Sequence, residues 1–352
     1  MTPEAYTVRT LRMADEEQRR RWALMGGSIE TEVIHMYIYL DFVPAFTCAC
    51  CGTCCRNDWL VTVDEAGYER NRAFFARTGR EGEFAAAFTP LAGRRAAGEY
   101  AAIAKRPGGG CWFLREDNLC LLHREAGYEH LDGVCRLFPR YPMRTARGVE
   151  VTLSFSCPEV LRLAERTEPL TVVRAEESPI SLKADGFTAE VFPGQQPLHS
   201  VLGYYFELEH HFIDIMQCRG LTVAGRLEFL ATTAAALASL PSSPAVGREV
   251  DRLIRGNYDR LDAAEAAGMA ELDPADMLLE HFFVNLIFKK VFYLHGLPGA
   301  TRLLAALGLR LTAAGAGADG AARLERVKAA VMAAEFEYCH NREALLRIAA
   351  GK

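Results

Sequence analysis

Phe46-Thr-Cys-Ala-Cys-Cys-Gly-Thr-Cys-Cys55 places five of the chain's 11 cysteines in one short run. Four more follow at Cys111, Cys120, Cys135 and Cys157, leaving Cys218 and Cys339 for the remainder. Core packing does not call for this density, because a buried thiol fills space no better than other small apolar side chains. A disulfide framework or a metal site does. Residues Met1 to Trp22 carry Arg9, Arg12, Asp15, Glu16, Glu17, Arg19, Arg20 and Arg21, with no uninterrupted apolar run and no small-residue cleavage site. The expectation is a chain without a secretory signal, its thiols kept reduced in the cytoplasm, where grouped cysteines bind metal more often than they pair. Vicinal Cys54-Cys55 and the close set Cys50, Cys51 and Cys54 also make a poor disulfide framework, since neighbouring Cα atoms seldom reach relaxed geometry. Cys48, Cys51, Cys54, Cys55, Cys111, Cys120, Cys135 and Cys157 are therefore the expected metal ligands.

Two metals remain open. Cys48-x2-Cys51-x2-Cys54 repeats the opening of the bacterial iron-sulfur run, and Cys157-Pro158 offers a remote thiolate followed by proline. The same spacing suits tetrahedral zinc held by thiolate pairs from two places in the chain. A 4Fe-4S cluster is the reading preferred on spacing, with zinc as the alternative. Arg136 and Arg140 flank Cys135-Arg-Leu-Phe-Pro-Arg140 and are candidate cofactor-binding cations that would offset an all-thiolate cluster. Surface arginines are the competing reading. His123 stands three residues beyond Cys120 and is read as an ordinary helix residue rather than a ligand.

Composition narrows the function classes. The 352 residues carry a net charge of -5 with a pI near 6.0, against the basic excess of a nucleic-acid binder. The longest apolar stretches, 229–240 and 282–288, fall short of the ~18 residues of a membrane span. No nucleic-acid and no membrane partner is expected.

The pattern predicts an α+β protein: a small cysteine-rich metal-cluster domain with short strands, followed by a mostly α-helical C-terminal domain. Residues 1–42 read as a charged helical lead-in (1–30) and a strand. Ile34, Met36, Ile38, Leu40 and Phe42 alternate there with polar residues as far as Pro44. Residues 43–165 form the cysteine-cluster domain. In it Trp59 to Val63 is a strand, Asp64 caps a helix through Tyr68 and Phe75, and Gly108-Gly-Gly110 is a loop into Cys111. Val149, Val151, Leu153 and Phe155 share one face of a strand ending at Cys157. Residues 166–198 read as a polar hairpin linker turning at Ala184-Asp-Gly186. Residues 199–352 are helical: one helix spans 201–216, Arg226 to Leu240 is a second, 246–268 a third, and Pro274 opens a fourth. Glu207, Glu209, His210 and His211 read as a solvated face of the first of these. Gly315 to Gly320 matches Gly-x-Gly-x2-Gly by letter, but no strand precedes it, so it reads as an interhelical loop.

Phe46-x-Cys48-x2-Cys51-Gly-x-Cys54-Cys55, with Cys111, Cys120, Cys135-Arg-x-Phe-Pro-Arg140 and Cys157, resembles the YkgJ-type cysteine-cluster family, described as zinc- or iron-chelating. Trp59-x-Val-x-Val63-Asp64-x3-Tyr68, Leu119-Cys120 and Ser154-Phe-Ser-Cys157-Pro-Glu159 are similar to its flagellin lysine-N-methylase branch. So are Gln217-Cys-Arg219 with Arg226-Leu227, and Leu279-Glu280 with Asn285 and Phe292. The resemblance covers about residues 43 to 293. It implies an enzyme that carries an iron-sulfur cluster and transfers a methyl group from S-adenosylmethionine to a lysine of a protein or peptide. The chain departs from that branch in its tighter first cysteine motif, in the three residues Arg56-Asn-Asp58 before Trp59, and in His123 where Tyr is usual. These departures bear on a flagellin substrate more than on the cluster and leave another protein, a peptide or a small amine open; the rival readings are a metal-cluster binding or electron-transfer module and a redox or radical peptide-modifying enzyme.

Overall fold

The computed structural model describes residues 4–6, 36–57, 59–93, 99–180, 187–339 and 347. Ile34, Asp58, the turn at Ala184 to Gly186 and most of the charged lead-in lie outside the described residues; Glu4–Tyr6, expected as helix, is a strand. Two compact units emerge. The larger comprises Met1–Phe46, Arg140–Ser156 and Val160–Lys352, the smaller Thr47–Pro139 with Cys157–Glu159. In chain order the elements begin with β1 (Glu4–Tyr6) and β2 (Tyr37–Leu40). Then come α1 (Thr53–Arg56), β3 (Thr62–Val63), α2 (Glu65–Arg77), α3 (Glu81–Ala87), β4 (Phe88–Pro90) and β5 (Ala101–Ile103). After α4 (Leu121–Ala126) and α5 (Gly133–Leu137) follow β6 (Arg140–Thr145), β7 (Gly148–Leu153), α6 (Pro158–Ala164), β8 (Val172–Ala175) and β9 (Ala189–Val191). The rest is helical: α7 (Tyr205–Gln217), α8 (Val223–Ala238), α9 (Val246–Ala266), α10 (Pro274–Phe288), α11 (Val291–Leu294), α12 (Gly296–Ala314) and α13 (Gly320–Ala334). The architecture is thus mixed α/β with a mostly helical C-terminal region.

In the smaller unit β3, β5 and β4 make an antiparallel sheet in that order. Asp64 starts α2 as its sequence position predicts, its carboxylate accepting the Gly67 N–H at 2.5 Å and satisfying one orphan donor of the first turn. One face of α2 delivers Phe75 to a core with Phe84, Phe88, Phe113 and Leu122, where ring centroids lie 4.9 to 6.2 Å apart. Cys111 belongs to this core, and Cys55 and Cys120 pack against it. The sheet and the aromatic cluster hold the segments that carry the thiols.

The larger unit is built on a six-stranded sheet of order β1-β8-β2-β7-β6-β9. Among the described residues β8 and β9 do not pair as the expected 166–198 hairpin: β8 pairs with β1 and β2, while β9 pairs with β6 at the sheet edge opposite β1. Short apolar alternations mark strands but do not name their partners, and here the partners lie far off in sequence. Ala146 and Arg147 turn β6 into β7, and Gly148, at φ +126, leaves no room for a side chain because a Cβ would lie 2.1 Å from the Met36 carbonyl oxygen.

β7 lies inside the sheet, and the apolar alternation of Val151, Leu153 and Phe155 is fully buried as expected. Its other face, Glu150, Thr152, Ser154 and Ser156, is also buried and is polar. Each of these groups has a partner. Thr152 donates to Asn285 on α10, and Ser154 hydrogen-bonds Ser156 at 2.7 Å and donates to Glu335, which takes Lys289 Nζ at 2.7 Å. Glu150 accepts from Thr145 at 2.8 Å, from Arg147 Nε and Nη2 at 2.9 Å, and from Lys290 Nζ at 2.7 Å. Glu209 on α7 shares both cations, taking Arg147 Nη2 at 2.6 Å and Lys290. The expectation of a solvated polar face on α7 therefore needs correction. Glu207 is exposed, but Glu209 and His211 are each 1% exposed, Glu209 because cations from two remote segments reach it and His211 with its ring against Asn257 at 3.0 Å. Burial works against the charge of Glu150, yet Arg147 and Lys290 outweigh it and hold its pKa down at about 2. For Glu209 burial wins over the same two cations and its pKa rises, so Glu209 is the first of the pair to take a proton on acidification.

Two of the remaining helices start at the caps their sequence shows, but the helix opened by Pro274, expected to run on through Val291 and Phe292, stops at Phe288, because Lys290 takes a left-handed backbone at φ 68 and α11 starts anew at Val291. Thr222 caps α8 through Gly225 N–H at 3.2 Å, and Asp273 forms a capping box with Asp276 ahead of Pro274. The stretch between α12 and α13 is a loop, as read from the sequence.

Candidate functional site

The smaller unit holds nine cysteines, and their chain segments are tied by backbone-directed contacts. Cys111 N–H donates to the Cys55 carbonyl at 2.7 Å. Arg56 Nη1 donates to the Cys51 carbonyl at 2.8 Å while its Nη2 reaches the Asn118 side chain. Lys105 reaches the Asn57 carbonyl. Gly52 lets the chain turn into α1 at φ +72, a left-handed conformation that glycine adopts freely, and a Cβ there would lie 2.9 Å from Arg56 Nη1. Cys48, Cys50 and Cys51 lie exposed on the loop before α1, and Cys54 and Cys55 are half-buried on it. Cys111 is buried in a bridge to Lys105, and Cys120 heads α4. Cys135 sits on α5, which Asp132 caps through Val134 N–H at 2.9 Å. Cys157 is buried.

The thiols drawn from four of these segments act on one another electrostatically. Cys55 responds to Cys54, Cys111 and Cys135; Cys120 to Cys111 and Cys54; Cys135 to Cys111, Cys120 and Cys54. The Cys54 and Cys55 sulfurs are 3.9 Å apart. A hydrogen bond from Cys55 lowers Cys54 to about 7 and leaves Cys55 holding its proton far more tightly. Burial raises Cys111 and Cys120, opposed in Cys111 by the Phe113 N–H and the charges of Lys105 and Arg106, and in Cys120 by the N–H groups of His123 and Leu122. Cys135 keeps an exposed edge, but the dense surroundings of its sulfur, then Asp132 and the other thiols, raise it well above its ordinary value. One thiolate in such a set disfavours the next, and a bound cation reverses that balance.

These side chains are thiols with N–H and cationic support, and once deprotonated such sulfurs are the ligand type that soft metals and iron-sulfur clusters take. Among the described residues, no three Cys, His, Asp or Glu side chains stand together as a ready metal site, and the ten described cysteines are free thiols. Cys54, Cys55, Cys111, Cys120 and Cys135 are the expected ligands brought into mutual electrostatic contact, with Cys48 linked to them through Cys54. Arg136 pairs with Glu129 at 3.7 Å, and Arg140 lies over the Phe46 ring at 5.2 Å in the larger unit. Lys105 and Arg106 act on Cys111, and their signal was their place before the glycine triplet that leads into it. His123 faces the Tyr128 ring at 6.1 Å.

The motif residues of the helical half converge as well, in the core of the larger unit. Arg219 Nη2 and Arg226 Nη1 donate to the two oxygens of Glu280 at 2.8 and 2.7 Å. Asn285 donates to the Leu153 carbonyl at 3.0 Å, and Gln217 to the Leu170 carbonyl at 2.7 Å. These contacts hold helices to one another, to β7 and to neighbouring loops within that unit.

The fold and site define a thiol-rich protein with a helical companion unit, and comparison with known proteins places it further. No protein-family profile and no solved structure matches the chain. It is 29% identical over 162 residues to a lysine-N-methylase of Salmonella typhimurium and 28% identical over 172 residues to one of Salmonella choleraesuis. Each match covers 45% of this chain but only 38% of the relative. It is 31% identical over 124 residues to the flagellar biosynthetic protein FliU of Salmonella muenchen, covering 34% of this chain and 70% of that protein. The chain belongs to the family of FliU.

Proposed function

We propose that the protein is an S-adenosylmethionine-dependent protein-lysine N-methyltransferase whose thiol site binds an iron-sulfur cluster. The similarity to two lysine-N-methylases over 45% of the chain carries the activity, and the thiolate-only donor set supports the cluster. In the reaction a neutral lysine ε-amine attacks the sulfonium methyl carbon, the new N–C bond forms as the S–C bond breaks, and S-adenosylhomocysteine leaves as a neutral thioether. The protein must hold the amine deprotonated, in line with the methyl group and away from water. Cys54, Cys55, Cys111, Cys120 and Cys135, with Cys48 and Cys51 beside them, would hold the cluster. It would supply a fixed, electron-rich centre there, and Lys105 and Arg106 offset the negative charge of the thiolates.

The density of thiols favours a second reading, a metal-binding or electron-transfer module without methyl transfer. Purification without oxygen followed by iron, sulfide and zinc content per chain distinguishes the metals. Incubation with methyl-labelled S-adenosylmethionine and a flagellin or another lysine-bearing protein then distinguishes the functions. Label on a lysine Nε is the expected result. No transfer to any such protein from cluster-loaded enzyme would leave the binding module standing.

A further inference from the structure

Nine thiols exceed what one four-thiolate site takes, and the loop before α1 gives two of them a separate chemistry. Cys48 and Cys50 are both exposed and one residue apart. Cys50 takes a left-handed backbone at φ 52, its N–H pointing at Cys48 Sγ, 3.4 Å away. Its own thiol turns back toward the Cys48 carbonyl at 3.9 Å. The chain thus curls around the Cys48 sulfur and leaves both sulfurs open to solvent.

This spacing is within disulfide reach. Two steps of ~3.8 Å keep the Cα atoms inside roughly 7 Å, close to the ~4.4–6.8 Å span of relaxed disulfides. Cys54 and Cys55 also have close sulfurs, but they are successive residues held helical in α1, and Cα atoms ~3.8 Å apart fall below that span.

We propose that Cys48 and Cys50 form a reversible disulfide by exchange with low-molecular-weight disulfides, and that this withdraws Cys48 from the metal-binding thiols. The thiolate of Cys50 attacks one sulfur of the small disulfide, forming a mixed disulfide and expelling one small thiolate. Cys48 then attacks the Cys50 sulfur and expels the second. The pair loses two electrons to the small disulfide, and its two protons end on the two small thiols released. The withdrawal rests on the thiolate-site reading given above; the disulfide itself does not.

The test uses the full chain, reduced, freed of reductant, exposed to oxidised glutathione, quenched with N-ethylmaleimide and mapped by peptide mass spectrometry. Wild type is expected to show a Cys48–Cys50 link that dithiothreitol removes. C48S should instead accumulate a glutathione adduct on Cys50, having lost the resolving thiol, and C50S should form no link. Alkylation of both residues in oxidised wild type, a link at Cys54–Cys55 instead, or equal Cys50 adduct in wild type and C48S would each overturn the disulfide. Metal content is measured before and after oxidation. A fall supports the withdrawal, and full retention with the link formed overturns it. A link formed in protein that never held metal overturns the metal reading alone.

Discussion

Replacing Lys290 by Met isolates the buried charge cluster of the larger unit. Lys290, Glu150 and Glu209 are no more than 1% exposed and Arg147 is nearly as buried, so two cations balance two carboxylates without solvent. Met keeps the length of the lysine stem and meets the same left-handed backbone at φ 68, so neither a large cavity nor a new backbone cost enters. What changes is charge. Of the two cations bonded to Glu150 and Glu209, Arg147 then remains, with Arg174 acting on Glu150 electrostatically, and an under-compensated buried charge costs ~3–5 kcal/mol. Urea unfolding followed by far-ultraviolet circular dichroism reads mainly the helical unit. With a slope of ~3 kcal/mol/M for a unit of this size, the midpoint should fall by ~1–1.7 M. Adding Glu209→Gln restores neutrality, since one guanidinium then faces one carboxylate. The double variant should therefore lose ~2 kcal/mol less than the sum of the single losses. A midpoint shift under ~0.3 M for Lys290→Met, or strict additivity in the cycle, would refute the reasoning.

The acid limb of stability follows from the same cluster. Glu150 is held at about 2 when folded against ~4.3 unfolded, so its contribution is complete above that unfolded value. It is then lost as pH falls toward 2, by ~3 kcal/mol in all. Glu150→Gln should flatten a stability curve measured over that window. Gly52→Ala should destabilise the smaller unit by ~1–2 kcal/mol through its left-handed φ and by displacing Arg56 from Cys51. Trp59 and Trp112 fluorescence reports it, and Gly79→Ala, at φ +66 with open space around it, is the control that pays backbone strain alone. In reduced, metal-free protein Cys54 should be alkylated by iodoacetamide with a pH midpoint near 7, well below the other thiols of α1, α4 and α5; mass mapping of a pH series would contradict this if Cys55 or Cys135 reacted first.

Local signals in the chain sufficed for the Asp64 cap, the Pro274 helix start, the apolar face of β7 and the concentration of thiols in one segment, because each depends on residues a few positions apart. Likeness to lysine-N-methylases was legible in short motifs for the same reason, while the tight first cysteine motif departs from that branch. Partnership at long range was not. Nothing near Val172 or Ala189 states that their strands flank opposite sides of one sheet, and nothing near Glu209 foretells cations arriving from Arg147 and Lys290. That Cys54, Cys111, Cys120 and Cys135 act on one another, and that Lys105 and Arg106 act on Cys111, likewise came only with tertiary structure. Charge acts through space and falls off over ångströms, so residue order alone cannot say which charges become neighbours.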